Sequence, residues 1–388
     1  MNNRLNIKSS LPILLSTWCL SCEAPADESS QADTNASPVT VIRLQGDSMP
    51  PLAGAVRAEA ADGSVLIETA DSVLHLIKPV DIAARSSTTD TFRHLDRKQM
   101  AAQLLRKTGN GFRIEFGDNH IVCSDASELF TQYCVRLLNK TTAEYSRFFA
   151  DSETPPRIMP DNMSVILFRT QSEFQAYAQK QHPDTDFSDV PGYYSVRDNQ
   201  MLIAAAAGDR DYRGAGDVLR KLKSRLRLVE TVVHEAVHQL AFNSGLQTRY
   251  ADTPVWLSEG LAVYFERASG TGQTLWIRPG GVSRIHLRGF KAAAASDHLA
   301  VPLADLFSSD NAFGTNPAAA YAESWAVIYF LARRDRAALD RLLKSMPTTP
   351  MGKLAPQQRL KLIQDATGRS IEDLEKEVLR YMKTVRQR

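Results

Sequence analysis

The segment Val232-Val233-His234-Glu235-Ala236-Val237-His238-Gln239-Leu240 sets two histidines and a glutamate inside an otherwise apolar run. In a helix, residues four apart lie on one face, one turn above the other. The imidazoles of His234 and His238 can therefore approach one ion, at the distance of about 2.0 to 2.1 Å usual for zinc and nitrogen. Glu235 lies one residue round the helix and need not bind the metal. It can reach a water on that metal and serve as general base. Apolar neighbours on nearly every side predict a buried helix, where such polar groups are costly unless paired or coordinated. The five-residue pattern by itself arises by chance in roughly one chain of this length per hundred, so a second element has to support it.

That element is Pro254-Val255-Trp256-Leu257-Ser258-Glu259-Gly260-Leu261-Ala262-Val263-Tyr264-Phe265-Glu266. Hydrolytic zinc takes three protein ligands and keeps a fourth position for water, and Glu259 is the candidate third ligand. Pro254 suits the opening of a helix. Residues 243–253 are long enough to reverse the chain, and Gly260 would let the second helix approach the first beside the metal. Structural zinc sites close all four positions with Cys or His. No cysteine or third histidine near this pair supplies a fourth ligand, so the set reads as open and catalytic.

HExxH followed after about twenty residues by W-L-x-E-G-L/F-A resembles the gluzincin metallopeptidases. It looks most like their peptidase MA-like group, which includes bacterial proteins of unassigned function. The likeness is strongest over residues 234–266 and extends in outline over 163–331. It implies an α+β fold, with a zincin-like metallopeptidase domain of mixed sheet plus active-site helices, a Zn2+ cofactor and a peptide or protein substrate. It implies an edge strand that binds substrate backbone by β-augmentation, for which Gln200–Ala204 is the candidate. A downstream tyrosine or histidine would steady the oxyanion. Tyr321 occupies the expected stretch, with a packed aromatic as its plain alternative, and His286 is a second candidate, with a solvated loop as its alternative. Asp252 and Glu266 are candidates to orient the ligating histidines, or else ordinary surface or capping residues. The aminopeptidases of this type hold the substrate's free amine with a carboxylate that residues 190–196 lack, so an endopeptidase is expected. Two other functions stay open: a non-catalytic, zinc-stabilised scaffold, and a hydrolase of a non-peptide amide such as a cell-wall component.

Residues 1–22 begin with Arg4 and Lys8 and no acid, followed by an apolar stretch over 11–20. That stretch is too short to span a bilayer, which takes about 20 apolar residues, and the whole has the layout of a secretory signal. Cleavage before Cys22 would resemble bacterial lipoprotein processing, although Cys19 stands where leucine is usual. The expectation is an exported, extracytoplasmic protein, with membrane contact only through a lipid anchor at Cys22; an unprocessed apolar tail is the alternative. Residues 23–38 are rich in Ser, Ala, Asp and Pro and read as a linker. With 43% hydrophobic and 23% charged residues and a net charge of +2, the remainder is ordinary globular sequence. Nucleic acid is not expected as a partner. The run Arg220, Lys221, Lys223, Arg225 and Arg227 reads as a solvated helix face.

Residues 39–90 alternate apolar and polar side chains, with Asp62-Gly63 as a hairpin signal. They predict a small β-barrel or β-roll domain, independent of the rest of the chain, with a polar joint at 85–91. Segment 91–120 connects it to the metallopeptidase domain at 121–388, and holds a helix over 97–107 ending at Gly109. Further strands are expected at 112–116, 120–123, 164–168 (the central one) and 200–206. Helices are expected at 126–149, 172–179, 217–242 with Asp217 as cap, after Pro254, at 319–333 and at 371–385. Asp125 and Glu128 form a capping box that starts a helix just past Cys123. Cys134 then lies about 13 Å along that helix, too far for a disulfide, whose Cα atoms must stand within roughly 7 Å.

Overall fold

The computed structural model describes residues 37–386 except 47–49, 153, 154, 156, 184, 189, 206–211, 294–297 and 349–351. The signal segment, Cys22 and the linker up to residue 36 lie outside the described residues.

Five strands form the first sheet: β1 (Pro38–Leu44), β2 (Leu52–Glu59), β3 (Val65–Thr69), β4 (Leu74–Ile77) and β5 (Ile82–Thr91), in the order β4-β3-β2-β1-β5 and antiparallel throughout. Alternation turns Ile42, Val65, Ile67 and Ile77 into a small core. The β2–β3 turn falls at Asp62-Gly63, where Gly63 takes φ +82 and the Asp62 carboxylate accepts the Ser64 N–H at 2.9 Å. Among the described residues the sheet does not close into a barrel. Residues 85–91 are no joint but most of β5. As an edge strand exposed on both faces, β5 carries no apolar alternation to announce it. Nor is this sheet independent: the Leu74 N–H donates to the Arg197 carbonyl, 2.9 Å away in the second sheet.

Between the sheets runs α1 (Arg97–Thr108), started by an Asp96–Gln99 capping box and stopped at Gly109. The second sheet contains β6 (Arg113–Phe116), β7 (His120–Ser124), β8 (Met163–Phe168), β9 (Gly192–Ser195) and β10 (Gln200–Ala204). Its order is β6-β7-β8-β10-β9, with β7, β8 and β10 parallel and the two edge strands antiparallel. β6 and the start of β7, which fall in the segment read as connecting, hydrogen-bond into this sheet. β8 is central, as its apolar run requires. β10 is interior, so the expected edge strand is corrected: the edge is β9.

Period-two alternation divides the sheet's side chains between two cores. Ile121, Cys123, Ile166, Phe168 and Leu202 pack under α1 and α3 (Gln171–Gln181). Val122, Val165, Leu167, Met201 and Ile203 face the large helical core with α2 (Glu128–Phe148). Ser127 caps α2 by accepting the Phe130 N–H, whereas Asp125, expected in that place, accepts the Arg169 N–H at 2.7 Å. Cys123 and Cys134 are both buried and are not joined by a disulfide.

The expected single helix over 217–242 is two: α4 (Ala215–Lys223) and α5 (Leu226–Asn243), broken at Ser224-Arg225. Asp217 sits inside the first turn of α4, where its carboxylate accepts the Arg213 N–H. The remaining helices are α6 (Val255–Glu266), α7 (Arg284–Ala293), α8 (Leu303–Ser308), α9 (Ala312–Thr315), α10 (Pro317–Arg334), α11 (Arg336–Ser345), α12 (Pro356–Thr367) and α13 (Ile371–Thr384). Every residue of α6 is buried. At about 1.5 to 3 kcal/mol for each large apolar side chain taken from water, Trp256, Leu257, Leu261 and Phe265 hold it firmly in place. Gly260 serves a different contact from the one expected. A Cβ there would stand 2.6 Å from the Ser324 carbonyl oxygen, so the residue brings α6 against α10 rather than against α5. No helix among the described residues is long and apolar enough to cross a membrane.

One buried histidine belongs to the second sheet rather than to the helices. His120, at the start of β7, is fully buried with neither ring nitrogen hydrogen-bonded, and burial, assisted by Arg97, depresses its pKa to about 3. The unfolded chain, with an ordinary histidine near 6.5, binds the extra proton between those values. Stability is therefore lost as pH falls from 6.5 toward 3. Denaturant unfolding should show the wild type losing about 2 kcal/mol more than His120→Phe between pH 7 and pH 5; parallel losses would refute this.

Candidate metal centre

α5 turns two stripes toward two neighbours. The stripe of His234 and His238 faces α6, with the rings edge to face at 4.9 Å between centroids. Glu259 approaches both: its Oε2 is 3.3 Å from His234 Nε2 and its Oε1 3.8 Å from His238 Nε2, without hydrogen bonds being formed. The ligand atoms of the three buried residues lie within 4.8 Å of one another, and no other such group occurs among the described residues. The opposite ring atoms are engaged. His234 Nδ1 is 2.7 Å from Glu266 Oε2, and His238 Nδ1 is 3.0 Å from the Ser258 hydroxyl. With Ser258 donating onward to Gln247 Oε1 at 3.4 Å, its oxygen accepts from the His238 Nδ1–H. Both Nε2 atoms are thereby turned toward Glu259 as lone-pair donors.

These residues fit a divalent ion. Both Nε2 atoms and both Glu259 oxygens are buried with no hydrogen-bond partner, an arrangement that costs free energy unless something coordinates them. The field has the matching sign. Burial opposes a charge on His234, yet the nearness of the Glu259 carboxylate and the hydrogen bond and attraction of Glu266 outweigh it and raise the pKa well above the usual value. A pocket that holds a positive charge against full burial suits a cation. Burial also pushes Glu266 up, but the hydrogen bond from His234 and the nearness of His286 prevail and hold its pKa at about 2.

The second stripe of α5, Thr231, Glu235, Gln239 and Asn243, runs along β9 and β10. A Cβ on Gly192 would lie 2.5 Å from Thr231 Cγ2 and 3.3 Å from Glu235 Cγ, so only glycine lets β9 approach so closely. The Tyr194 backbone N–H donates to the Glu235 carboxylate, whose Oε2 is buried without a partner. Burial raises this carboxyl to about 7, where it can both take and give a proton near neutrality. Tyr321, on α10, is buried edge-on to Phe313, and its hydroxyl is near enough to Glu259 to favour the carboxylate against the burial that raises its pKa.

Sequence therefore located His234, Glu235, His238, Glu259, Glu266 and Tyr321 in one place. Two other candidates move. Asp252 does not approach a histidine; it pairs with Arg359 at 2.7 Å and accepts the Leu354 N–H. His286 is not in a solvated loop but on α7, tilted beside Trp325 and 3.8 Å from Glu266. Ser258, Gln247 and β9 were missed. A lone hydroxyl beside Glu259 in an apolar helix was a legible sign of the first, whereas nothing local marks the others.

Residues 228–351 match the model of a family described as a protein of unknown function, DUF1570. The match covers less than half of the chain. It takes in α5, α6 and Tyr321, and leaves out the first sheet and β9. No curated protein matches the chain.

Removing either orienting partner should loosen the site. Ser258→Ala and Glu266→Gln are each expected to weaken Zn2+ binding about 10- to 100-fold in a chelator-competition titration. Affinities equal to the wild type would show that these contacts do not orient the ligands.

Proposed function

We propose that the chain is a zinc-dependent hydrolase of peptide bonds, an endopeptidase of the gluzincin type with a zincin-like catalytic unit. The observation that carries this reading is the double use of α5: two unpartnered histidine nitrogens facing the equally unpartnered Glu259 of α6 on one stripe, and Glu235 against an edge strand on the other. Zn2+, held by His234, His238 and Glu259, would supply Lewis acidity, acidifying water and polarising a carbonyl. Glu235 takes the water's proton on its unpartnered Oε2 and delivers it to the leaving amine. The Tyr194 N–H holds the Glu235 carboxylate while it does so. Tyr321 is assigned donation to the oxygen on which negative charge develops.

Substrate binding falls to β9 instead of β10. The Ala204 N–H meets the Pro191 carbonyl at 3.0 Å, and the antiparallel ladder alternates from there. Gly192 and Tyr194 thus turn their backbone groups away from β10; with the Tyr194 N–H given to Glu235, an extended peptide would pair with the Gly192 groups and the Tyr194 carbonyl. No acidic side chain occurs in β9 or in Val190-Pro191 before it, which supports cleavage within a chain rather than from a free amine. Export, with Cys22 as a lipid anchor, belongs to the same proposal and places the substrate outside the cytoplasm.

The test pairs metal analysis of the purified protein with cleavage of a peptide library. Wild type should hold one zinc and cleave; Glu235→Gln should keep zinc and lose about 10²- to 10⁴-fold in rate. Tyr321→Phe should lose about 10²- to 10³-fold in kcat. Stoichiometric zinc with no cleavage by the wild type would leave a scaffold and end the peptidase reading.

A further inference from the structure

We propose that Arg249 is a positioning residue that makes the first sheet part of the substrate-binding edge, by tying the β3–β4 turn to the β9–β10 turn. The substrate half of this inference rests on the peptidase reading; the mechanical half does not. Arg249 lies in the loop between α5 and α6, and its guanidinium spreads over three partners. It donates to the Ser72 carbonyl at 2.8 Å, to the Val196 carbonyl at 3.2 Å and to the Glu68 carboxylate. Ser72 is in the β3–β4 turn with φ +65, and Val196 is the first residue after β9. Next to this bridge, the Leu74 N–H reaches the Arg197 carbonyl at 2.9 Å. The two sheets thus meet at one turn, once directly and once through Arg249.

That turn decides where β9 stands. β9 is four residues long and paired on one side only, so its own ladder fixes it weakly and its ends must be held. At one end, Gly192 rests on α5. At the other, α5 grips the inner side of the turn: Gln239 Nε2 donates to the Asn199 carbonyl at 3.3 Å, and Asn243 Nδ2 to Asn199 Oδ1 at 2.8 Å. The Tyr194 hydroxyl donates to the same Oδ1 at 2.8 Å. Arg249 and Leu74 grip the outer side. Without them the turn keeps its inner anchors and its tie to the end of α3, where Arg197 Nη2 donates to the Gln181 carbonyl at 2.8 Å and Asp198 lies 3.1 Å from His182 Nε2, and the edge beside Glu235 gains freedom.

The network allows the residue to be tested without unfolding the first sheet. Glu68 is buried, and besides Arg249 it holds Arg57 at 2.6 Å and His94 at 3.2 Å. Loss of Arg249 therefore leaves Glu68 still paired, avoiding the penalty of an orphaned buried charge. The loop that carries Arg249 has a separate anchor three residues on, where Asp252 meets Arg359. The hydrogen bonds and ion pair of the Arg249 guanidinium go to Ser72, Val196 and Glu68, none of them a metal ligand.

Hydrogen exchange of the zinc-loaded full chain tests the inference, with peptide cleavage alongside. In Arg249→Ala, amides over residues 192–200 are expected to exchange about tenfold faster, the loss of charge-assisted hydrogen bonds being the cause. Protection of α5 and α6 and the zinc stoichiometry stay at wild-type values. KM rises about tenfold and kcat falls by less than that, the smaller effect coming from the Tyr194 N–H that holds Glu235. Arg249→Lys keeps the charge without the planar fork and falls between the two. Unchanged exchange over 192–200 would overturn the inference, as would a rise spread equally over α5 and α6 or a loss of zinc. A wild type that cleaves nothing would defeat the peptidase reading alone, because exchange and zinc content still decide the coupling.

Discussion

A helix whose residues from Leu228 to Ala241 are all buried has to satisfy its polar side chains from neighbouring elements. α5 contains Glu230, Thr231, His234, Glu235, His238 and Gln239 within that span, and the surrounding architecture can be traced from what each one meets. Glu230 accepts the Ala268 N–H and pairs with Arg267 just past α6. His234 and His238 find Glu266 and Ser258 on α6. Glu235 takes the Tyr194 N–H on β9, and Gln239 the Ser164 carbonyl on β8 at 3.0 Å. The atoms that converge on one point, the two Nε2 atoms and the Glu259 oxygens, are left over, as is Glu235 Oε2. These unsatisfied atoms are the candidate site.

The neighbours are secured from outside in turn. Arg359 on α12 is buried between Asp252 and Asp310, at 2.7 and 2.9 Å, and Asp310 accepts the Val255 N–H that opens α6. Breaking such a buried network by removing one partner commonly costs about 3 to 5 kcal/mol. This pair of ion bonds lets α12, beyond the family match, set the start of the helix that carries Glu259. Arg249 does the corresponding work for β9 from the first sheet. Two arginines, Arg249 within the loop between α5 and α6 and Arg359 packed against it, thus connect the flanking parts of the chain to the two elements that face α5.

The candidate site was legible where chemistry needs fixed spacing along one helix. The i,i+4 histidines, the glutamate between them and Glu259 after a reversing loop are local or nearly local patterns. The strands of the second sheet that carry long apolar runs were legible for the same kind of reason. β5 and β9 were not. β5 is exposed on both faces and shows no alternation, and β9 is buried throughout and only four residues long, too short for a period to appear. The break between α4 and α5 was hidden because Ser224 and Arg225 are both compatible with a helix interior.

The HEAVH segment, by itself, determined that two imidazoles and a carboxylate would share a buried helix, and Glu259 that a third ligand would come from the next one. Backbone geometry at a range of four residues suffices for the first, and a reversing loop between two helices for the second. Which strand lies against Glu235, which glycine serves which contact, and which acid orients which histidine were decided only by tertiary structure. Gly192 and Glu235 are 43 residues apart in sequence, and Asp252 and Arg359 are 107 apart. Contacts at such separations depend on how sheets and helices pack, and no local pattern encodes them.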